Sequence, residues 1–321
     1  MRSRSVSVTG ATGFLGRSLV DGFHRAGWRV RAIVRPGSPQ PTASHADRRE
    51  AGLHDVASMA AAIAGSDVVV HAAGLVRAAH QRAFATVNVD GIRTVAAAVN
   101  ATGARLVHIS SLAAIGPGTV RRPVREDDPP HPVNAYGQSK LEGEAVVSER
   151  VRGSWLILRP SAIYGPGDRG FLPLVRLGRL GLFPLAAPAD MPFTFAFADD
   201  VVQAVITAAE SPLTGEALFI GHPDVESAGS MMRGIAASLG RTYRPLPVPR
   251  AAVRAVGHIG DLMWSIGGRP LLDSARVAEF SAPGFLCDVR RARERLGFAA
   301  RVGLEDGLIA TVRWYREQRW I

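Results

Sequence analysis

Val8-Thr9-Gly10-Ala11-Thr12-Gly13-Phe14-Leu15-Gly16 lies between a short apolar-alternating run, Ser5–Thr9, and a stretch with helical spacing, residues 13–26. In that stretch Phe14, Leu15, Leu19, Val20 and Phe23 share one side. The glycines at 10, 13 and 16 have separate jobs. One makes a tight turn, one lets backbone approach a pyrophosphate, and one lets the helix sit close to the strand. The helix start then offers free N–H groups and a positive dipole end to phosphate. The triplet gains its weight from its place between a first strand and a first helix.

Working outward, strand and helix signals alternate. Arg29–Val34 reads as a second strand, residues 56–64 as a helix and residues 67–71 as a buried strand. A long helix spans residues 84–101 and ends at Gly103. A strand follows at 106–110, a helix at 134–150 and a strand at 154–158. This alternation predicts an α/β fold, a doubly wound parallel sheet of the Rossmann kind with right-handed crossovers. After Tyr164 proline and glycine become dense up to Pro192. Late strands are expected at 193–197 and 217–220, around a helix at 200–209, and an amphipathic helix at 304–316. The domain reading is therefore interleaved. Residues 1–164 and 193–221 form the dinucleotide-binding domain; 165–192 and 222–321 form a smaller substrate domain.

The end of the second strand holds the position that reads the ribose 2′ group. Here it is Arg35, followed by Pro36 and Gly37, with no carboxylate before Asp47. An Arg suits a 2′-phosphate, which favours NADP over NAD.

Tyr136-Gly137-Gln138-Ser139-Lys140 sets a phenol and an ammonium four residues apart, on one face of a helix. Hydride chemistry at a carbonyl or alcohol needs a proton donor and acceptor at the reacting oxygen. At ~4 Å and an effective dielectric of ~20, one unit charge is worth about 4 kcal/mol, roughly three pKa units, so Lys140 is expected to bring the Tyr136 phenol toward neutrality. Of 38 Lys+Arg residues, 37 are Arg and the single lysine is Lys140. A lysine kept in an arginine-saturated chain marks a need for a compact, titratable ammonium. The strand at 106–110 ends in Ser110 and Ser111. Ligands bind outside the carboxyl ends of parallel strands, so Ser111 is the candidate to orient the oxygen.

Composition excludes other classes. The net charge is +10, but the arginines are scattered and aromatics are 7%, so there is no nucleic-acid surface. The charge suits a phosphate-bearing cofactor or acidic substrate. Nine histidines show no metal-ligand spacing, and no metal is expected. Glu126-Asp127-Asp128 reads as a solvated loop and His131 as loop surface. Cys287 is the single cysteine, which fits a reducing cytoplasm. No leader is expected from the N-terminal residues. No apolar run reaches the ~18 residues that span a bilayer. Residues 250–266 could form a membrane-surface helix; the central Asp261 and modest length favour a packed or substrate-lining one.

Taken together, these residues resemble the extended short-chain dehydrogenase/reductase superfamily, also called the NAD-dependent epimerase/dehydratase family. The likeness covers nearly the whole chain. It rests on Thr9 to Gly16, Asp67-Val68-Val69-Val70-His71-Ala72-Ala73-Gly74, Val87-Asn88-Val89-Asp90-Gly91 and Ser110-Ser111. It rests also on Tyr136-x-x-x-Lys140, Leu158-Arg159-Pro160-Ser161-Ala162-Ile163-Tyr164-Gly165-Pro166-Gly167-Asp168, and Phe197-Ala198-Asp199-Asp200-Val201. The resemblance implies a Ser111-Tyr136-Lys140 triad. It implies a cofactor bed from Gly10, Thr12, Gly13, Phe14, Leu15, Gly16, Arg35, Leu53, Ala72, Ala73, Gly74, Asn88, Tyr136, Lys140, Pro160 and Ile163. It also implies a homodimer through the helices at 84–101 and 134–151. Gly52 replaces a family Asp that reads adenine, leaving that contact to the Leu53 backbone. Ala162 replaces the Asn by which sugar-nucleotide epimerases hold substrate, a likeness to the 3β-hydroxysteroid dehydrogenase and dihydroflavonol reductase branch. The reading is an NADP- or NAD-dependent oxidoreductase of a non-nucleotide ketone or alcohol. Its rivals are a sugar-nucleotide epimerase or dehydratase with tightly held NAD, and a non-catalytic NADP-binding scaffold.

Overall fold

The structure, a computed structural model, describes residues 4–39, 43–268 and 270–321. Residues 1–3, where the reading of no leader begins, lie outside the described residues.

The first half runs β1 (Ser5–Thr9), α1 (Phe14–Arg25), β2 (Arg29–Val34), β3 (Asp47–Glu50), α2 (Val56–Ile63), β4 (Val68–His71), α3 (Gln81–Phe84) and α4 (Gly91–Thr102). It continues with β5 (Arg105–Ile109), α5 (Ala135–Arg150), β6 (Trp155–Pro160) and β7 (Ala162–Tyr164). The second half adds α6 (Leu172–Arg179), β8 (Phe183–Leu185), β9 (Pro192–Phe193), β10 (Phe195–Phe197), α7 (Ala198–Glu210), β11 (Glu216–Ile220), β12 (Glu226–Ser227) and α8 (Ala228–Ser238). It closes with β13 (Pro245–Pro247), α9 (Arg250–Ser265), α10 (Ser274–Ser281), α11 (Arg290–Leu296) and α12 (Leu304–Glu317).

Seven parallel strands form the central sheet in the order β3-β2-β1-β4-β5-β6-β11. Chain order reverses between β1 and β4, which stand side by side with Thr9 opposite His71. That reversal opens a crevice beyond the carboxyl ends of both strands. The inner strands are buried on both faces, so Val68–Val70 reads as a continuous apolar run rather than an alternation. One face is covered by α1, α7 and α11, with Leu19, Phe23, Val201 and Val205 in its core. At Gly22 a side chain would collide with a Val202 methyl at 2.2 Å, so the Val202 side chain of α7 packs directly onto the bare backbone of α1. The other face is covered by α2, α4 and α5, around Met59, Ile92, Val95 and Val147. A third core gathers Tyr164, Phe183, Phe195, Phe197, Met231, Ile235, Leu308 and Tyr315.

Three expectations change. The helix at 84–101 is α3 and α4 joined by a wide π turn, Ala85–Asp90. The strand at 193–197 is two short strands broken at Thr194. β10 pairs with β7 and β9 with β12, outside the large sheet, because Phe193, Phe195 and Phe197 pack into the third core. An unforeseen strand, β3, edges the sheet.

Candidate active site

The glycine-rich turn is built as its sequence requires. Gly10 has a φ of +69° and its carbonyl accepts from Gly13 N at 2.9 Å. A side chain at Gly16 would meet that carbonyl at 2.0 Å, and one at Gly10 would meet Ala73 at 2.7 Å. The turn therefore lies directly on the end of β4, and α1 begins at Gly13 without a side-chain cap. Thr12, Phe14 and Leu15 are half-buried around these free N–H groups, and Ala72 and Ala73 are half-buried beside them. Such a cradle, which any Cβ would fill, fits a dinucleotide pyrophosphate.

Past Ala73 the chain exposes Gly74. A Cβ there would lie 3.4 Å from Lys140 Nζ and 3.2 Å from Asn88 Oδ1. Asn88 comes from the π turn and is buried. Its amide donates to Leu75 O and Ser139 Oγ at 2.9 Å each, while its oxygen accepts from Leu75 N at 2.8 Å. Its polar atoms are thus engaged with the loop after β4 and with α5, so it shapes the bed beside Gly74. π turns inserted in α-helices recur at functional sites for this kind of re-aiming.

α5 carries the reactive pair. Asn134 caps it, its oxygen accepting from Gly137 N at 2.9 Å. Lys140 is buried and donates from Nζ to Ile109 O at 2.9 Å, tying α5 to the end of β5. Burial lowers its ammonium to about 8, with the Glu144 carboxylate resisting. Burial pushes the Tyr136 phenol up to about 12. Hydrogen bonding to Ser111 pulls it down, and the Glu279 charge raises it further. The expectation that Lys140 brings this phenol toward neutrality is corrected: in the protein alone, desolvation outweighs any charge attraction and the phenol stays protonated. Ser111 is half-buried, caps a short 3₁₀ turn and accepts from Ala113 N at 3.1 Å.

Other expected positions sit further out. Leu53 is half-buried against Gly91, where a Cβ would stand 3.2 Å away. Pro160 ends β6, buried, and Ile163 lies half-buried in β7. Arg35 is exposed just past β2. A carboxylate does reach this corner, contrary to the sequence reading. β3 brings Glu50 opposite Val34, where it accepts from Gly37 N at 3.3 Å and pairs with Arg48 at 3.1 Å.

Three further features escaped the sequence reading. Glu144, one turn beyond Lys140, is buried, accepts from Ser110 Oγ and is gripped by Arg159 at 2.7 Å. Arg159 also donates to the Glu126 carbonyl at 3.0 Å, and the Glu126 side chain accepts from Phe219 N at 3.1 Å. Glu126 is therefore buried structure, not solvated loop. Glu279, on α10, accepts from Asn134 Nδ2 at 2.8 Å; burial raises its carboxyl and its charge bears on Tyr136. The i, i+4, i+8 spacing of Tyr136, Lys140 and Glu144 was a readable signal; Glu279 offered none. Among the described residues no cluster of His, Cys, Asp or Glu could hold a metal ion. Nor is any helix among them long and apolar enough to cross a membrane.

A Rossmann sheet with a phosphate cradle at its switch point defines a dinucleotide-dependent α/β enzyme. The sequence matches the NAD dependent epimerase/dehydratase family over residues 6–221, and the chain belongs to that family. It is 31% identical to the ceramide reductase of Caulobacter vibrioides over 324 residues, 98% of this chain and 96% of that protein. It is 30% identical to the 4-hydroxy-2-methyl-3-oxo-4-farnesyl-3,4-dihydroquinoline-1-oxide ketoreductase of Stigmatella aurantiaca, with 94% of each chain covered. Among solved structures it is similar to MoeE5 in complex with UDP-glucuronic acid and NAD, with a TM-score of 0.77 and 25% identity, covering 98% of this chain and 99% of that one. The chain is thus an NAD-dependent dehydrogenase, reductase or epimerase of the extended short-chain type.

Proposed function

We propose that this protein is a ketoreductase that delivers a hydride and a proton to the carbonyl of an apolar, non-nucleotide substrate. The observation that carries the reading is the arrangement on α5: Lys140, the single lysine of the chain, is buried between Gly74 and Ile109 O, one turn from Tyr136. The bound dinucleotide supplies the hydride chemistry. Tyr136, which carries its proton at neutral pH, donates it to the reacting oxygen. Lys140 stands by as an ammonium to stabilise the phenolate left behind and to hold the ribose near Gly74. Ser111, hydrogen-bonded to the phenol, orients the carbonyl. Gly10, Thr12, Gly13, Phe14, Leu15 and Gly16 hold the pyrophosphate, with Leu53, Ala72, Ala73, Gly74, Pro160 and Ile163 along the rest of the dinucleotide.

The substrate class follows from what is missing and from the relatives. Ala162 gives no amide to a sugar nucleotide. The ceramide reductase and the farnesyl-quinoline ketoreductase, by their names, act on largely apolar molecules. Residues 165–192 and 222–321 are proposed as the substrate-selecting part. Arg35 favours NADP, and Arg48 balances the charge of Glu50 beside it. A homodimer through α4 and α5 and a cytoplasmic location complete the proposal.

The test is a cofactor titration followed by turnover. NADPH is expected to bind more tightly than NADH and to be consumed with long-chain ketones, and Tyr136→Phe is expected to lose about a hundredfold or more in kcat with dinucleotide affinity retained. Retained cofactor with interconversion of a UDP-sugar and no net NADPH consumption would sink the reading.

A further inference from the structure

α9 is seated on the molecule by a narrow face. It buries only Val253, Gly257 and Gly260. A Cβ at Gly257 would meet Val277 at 2.7 Å, and one at Gly260 would meet the Leu272 carbonyl at 1.9 Å, so the helix lies flat on α10 through small residues. Its outer side is apolar and uncovered. Val256, Ile259, Leu262 and Ile266 are 49%, 58%, 66% and 79% exposed, and Met263 is exposed too. At 3.6 residues per turn these five fall within an arc of about 120°. Leu246 before the helix and Leu271 after it are also exposed. A continuous apolar stripe of this kind marks an interaction surface.

Asp261, the residue that argued for an ordinary packed helix, lies outside the stripe. Its carboxylate accepts from Ser274 N at 3.1 Å and from the Ser274 hydroxyl, fastening α9 to α10. It is the sole acid between residues 241 and 271, a segment that carries Arg241, Arg244, Arg250, Arg254 and Arg269. The segment that bears the stripe is therefore cationic in sequence, with its one acid already engaged.

We propose that α9 docks on an anionic lipid bilayer, lying in the plane of the interface with its outer stripe among the acyl chains and its arginines at the headgroups. Charge selects this occupant. A second copy placed face to face would set two arginine-rich segments against each other with no free acid to answer them. An amphipathic helix with an apolar stripe on one side and arginines away from it has the composition of an interfacial anchor. Sixteen residues span about 24 Å as a helix, enough to lie along a surface. The position has meaning for the site: α10, on which α9 rests, carries Glu279, which Asn134 holds two residues before Tyr136. Docking does not rest on the ketoreductase reading; its benefit, entry of a membrane-dissolved ketone, does.

The test is co-sedimentation of the full chain with vesicles of phosphatidylcholine alone and with about one-third phosphatidylglycerol. Binding is expected to the anionic vesicles only, weakening with salt and in Arg250→Ala/Arg254→Ala. Leu262→Glu/Ile266→Glu, and the milder Met263→Gln/Ile266→Gln should the first fail to fold, are expected to lower binding about tenfold with the urea midpoint and NADPH affinity unchanged. Absence of binding to anionic vesicles, or equal binding by the variants, would overturn the proposal. So would a wild-type oligomer that Leu262→Glu/Ile266→Glu dissociates in sedimentation velocity, since the stripe would then belong to a second copy. Vesicle binding without ketone turnover would strike at the ketoreductase reading alone.

Discussion

Acidification should destabilise this protein through two histidines, and His108→Leu should remove half of the effect. His71 and His108 stand on adjacent strands with stacked rings 5.4 Å apart, and both are buried. His71 Nδ1 bonds to Thr9 Oγ1 at 2.8 Å, whereas neither ring nitrogen of His108 has a partner. Burial, with the Lys140 charge adding to it, lowers His71 to about 3; the same causes, joined by His71 itself, hold His108 well below its ordinary range. Both rings are therefore neutral when folded and take up protons on unfolding. The stability this represents is full above the ordinary imidazole range and is lost as pH falls below it. With an unfolded value of about 6.5, going from pH 7 to pH 5 costs about 2 kcal/mol for each ring that stays neutral, about 4 kcal/mol for the pair. Urea unfolding followed by tryptophan fluorescence at both pH values reads this directly. Carboxylate titrations are shared by the two proteins and cancel. His108→Leu should match or exceed the wild type at pH 7, because no hydrogen bond is lost, and should lose about 2 kcal/mol less on acidification. An equal acid loss in both would refute the reasoning.

Gly16→Ala places a methyl group 2.0 Å from Gly10 O and should abolish dinucleotide binding in a fluorescence titration, while leaving the far-ultraviolet circular dichroism near that of the wild type. Lys140→Arg keeps the charge but cannot fit the compact pocket under Gly74; a loss of about a hundredfold in kcat is expected in steady-state turnover. The wild-type reduction rate should fall as pH rises through about 8, where Lys140 loses its proton. Arg159→Met leaves Glu144 buried without its cation and should cost about 3–5 kcal/mol by urea unfolding.

The parts of the fold that announce themselves locally were legible. β1 and β2 lie where their apolar spacing put them: Val6 and Val8, and Val30 with Ala32 to Val34, fill the buried positions, while the buried Ser5 and Ser7 of β1 are satisfied by Asp67 and Ser66. α5 begins where Asn134 can cap it. β3 was invisible because Asp47, Arg48, Arg49 and Glu50 are all charged; an edge strand needs only one neighbour, β2, and can keep every side chain at the solvent. Missing β3 also hid Glu50 from the ribose corner. Asn88 stood in a recognisable motif, but its inward turn depends on a π widening that no residue type in 85–90 dictates. Glu126 looked like part of an acidic loop. Its carboxylate is buried because Phe219 N, 93 residues away, needs an acceptor. Glu279 comes to Tyr136 only through the seating of α10, a long-range contact that helical spacing does not encode.

Asn134 joins two things that could have been independent. Its oxygen terminates the backbone of the helix that bears Tyr136, and its nitrogen holds the Glu279 carboxylate on α10, in the part of the chain proposed to select substrate. Any lineage that redesigns α10 for a new substrate must either keep an acceptor at residue 279 or leave a donor of the cap without its partner. Innovation in substrate choice is thereby taxed at the catalytic helix.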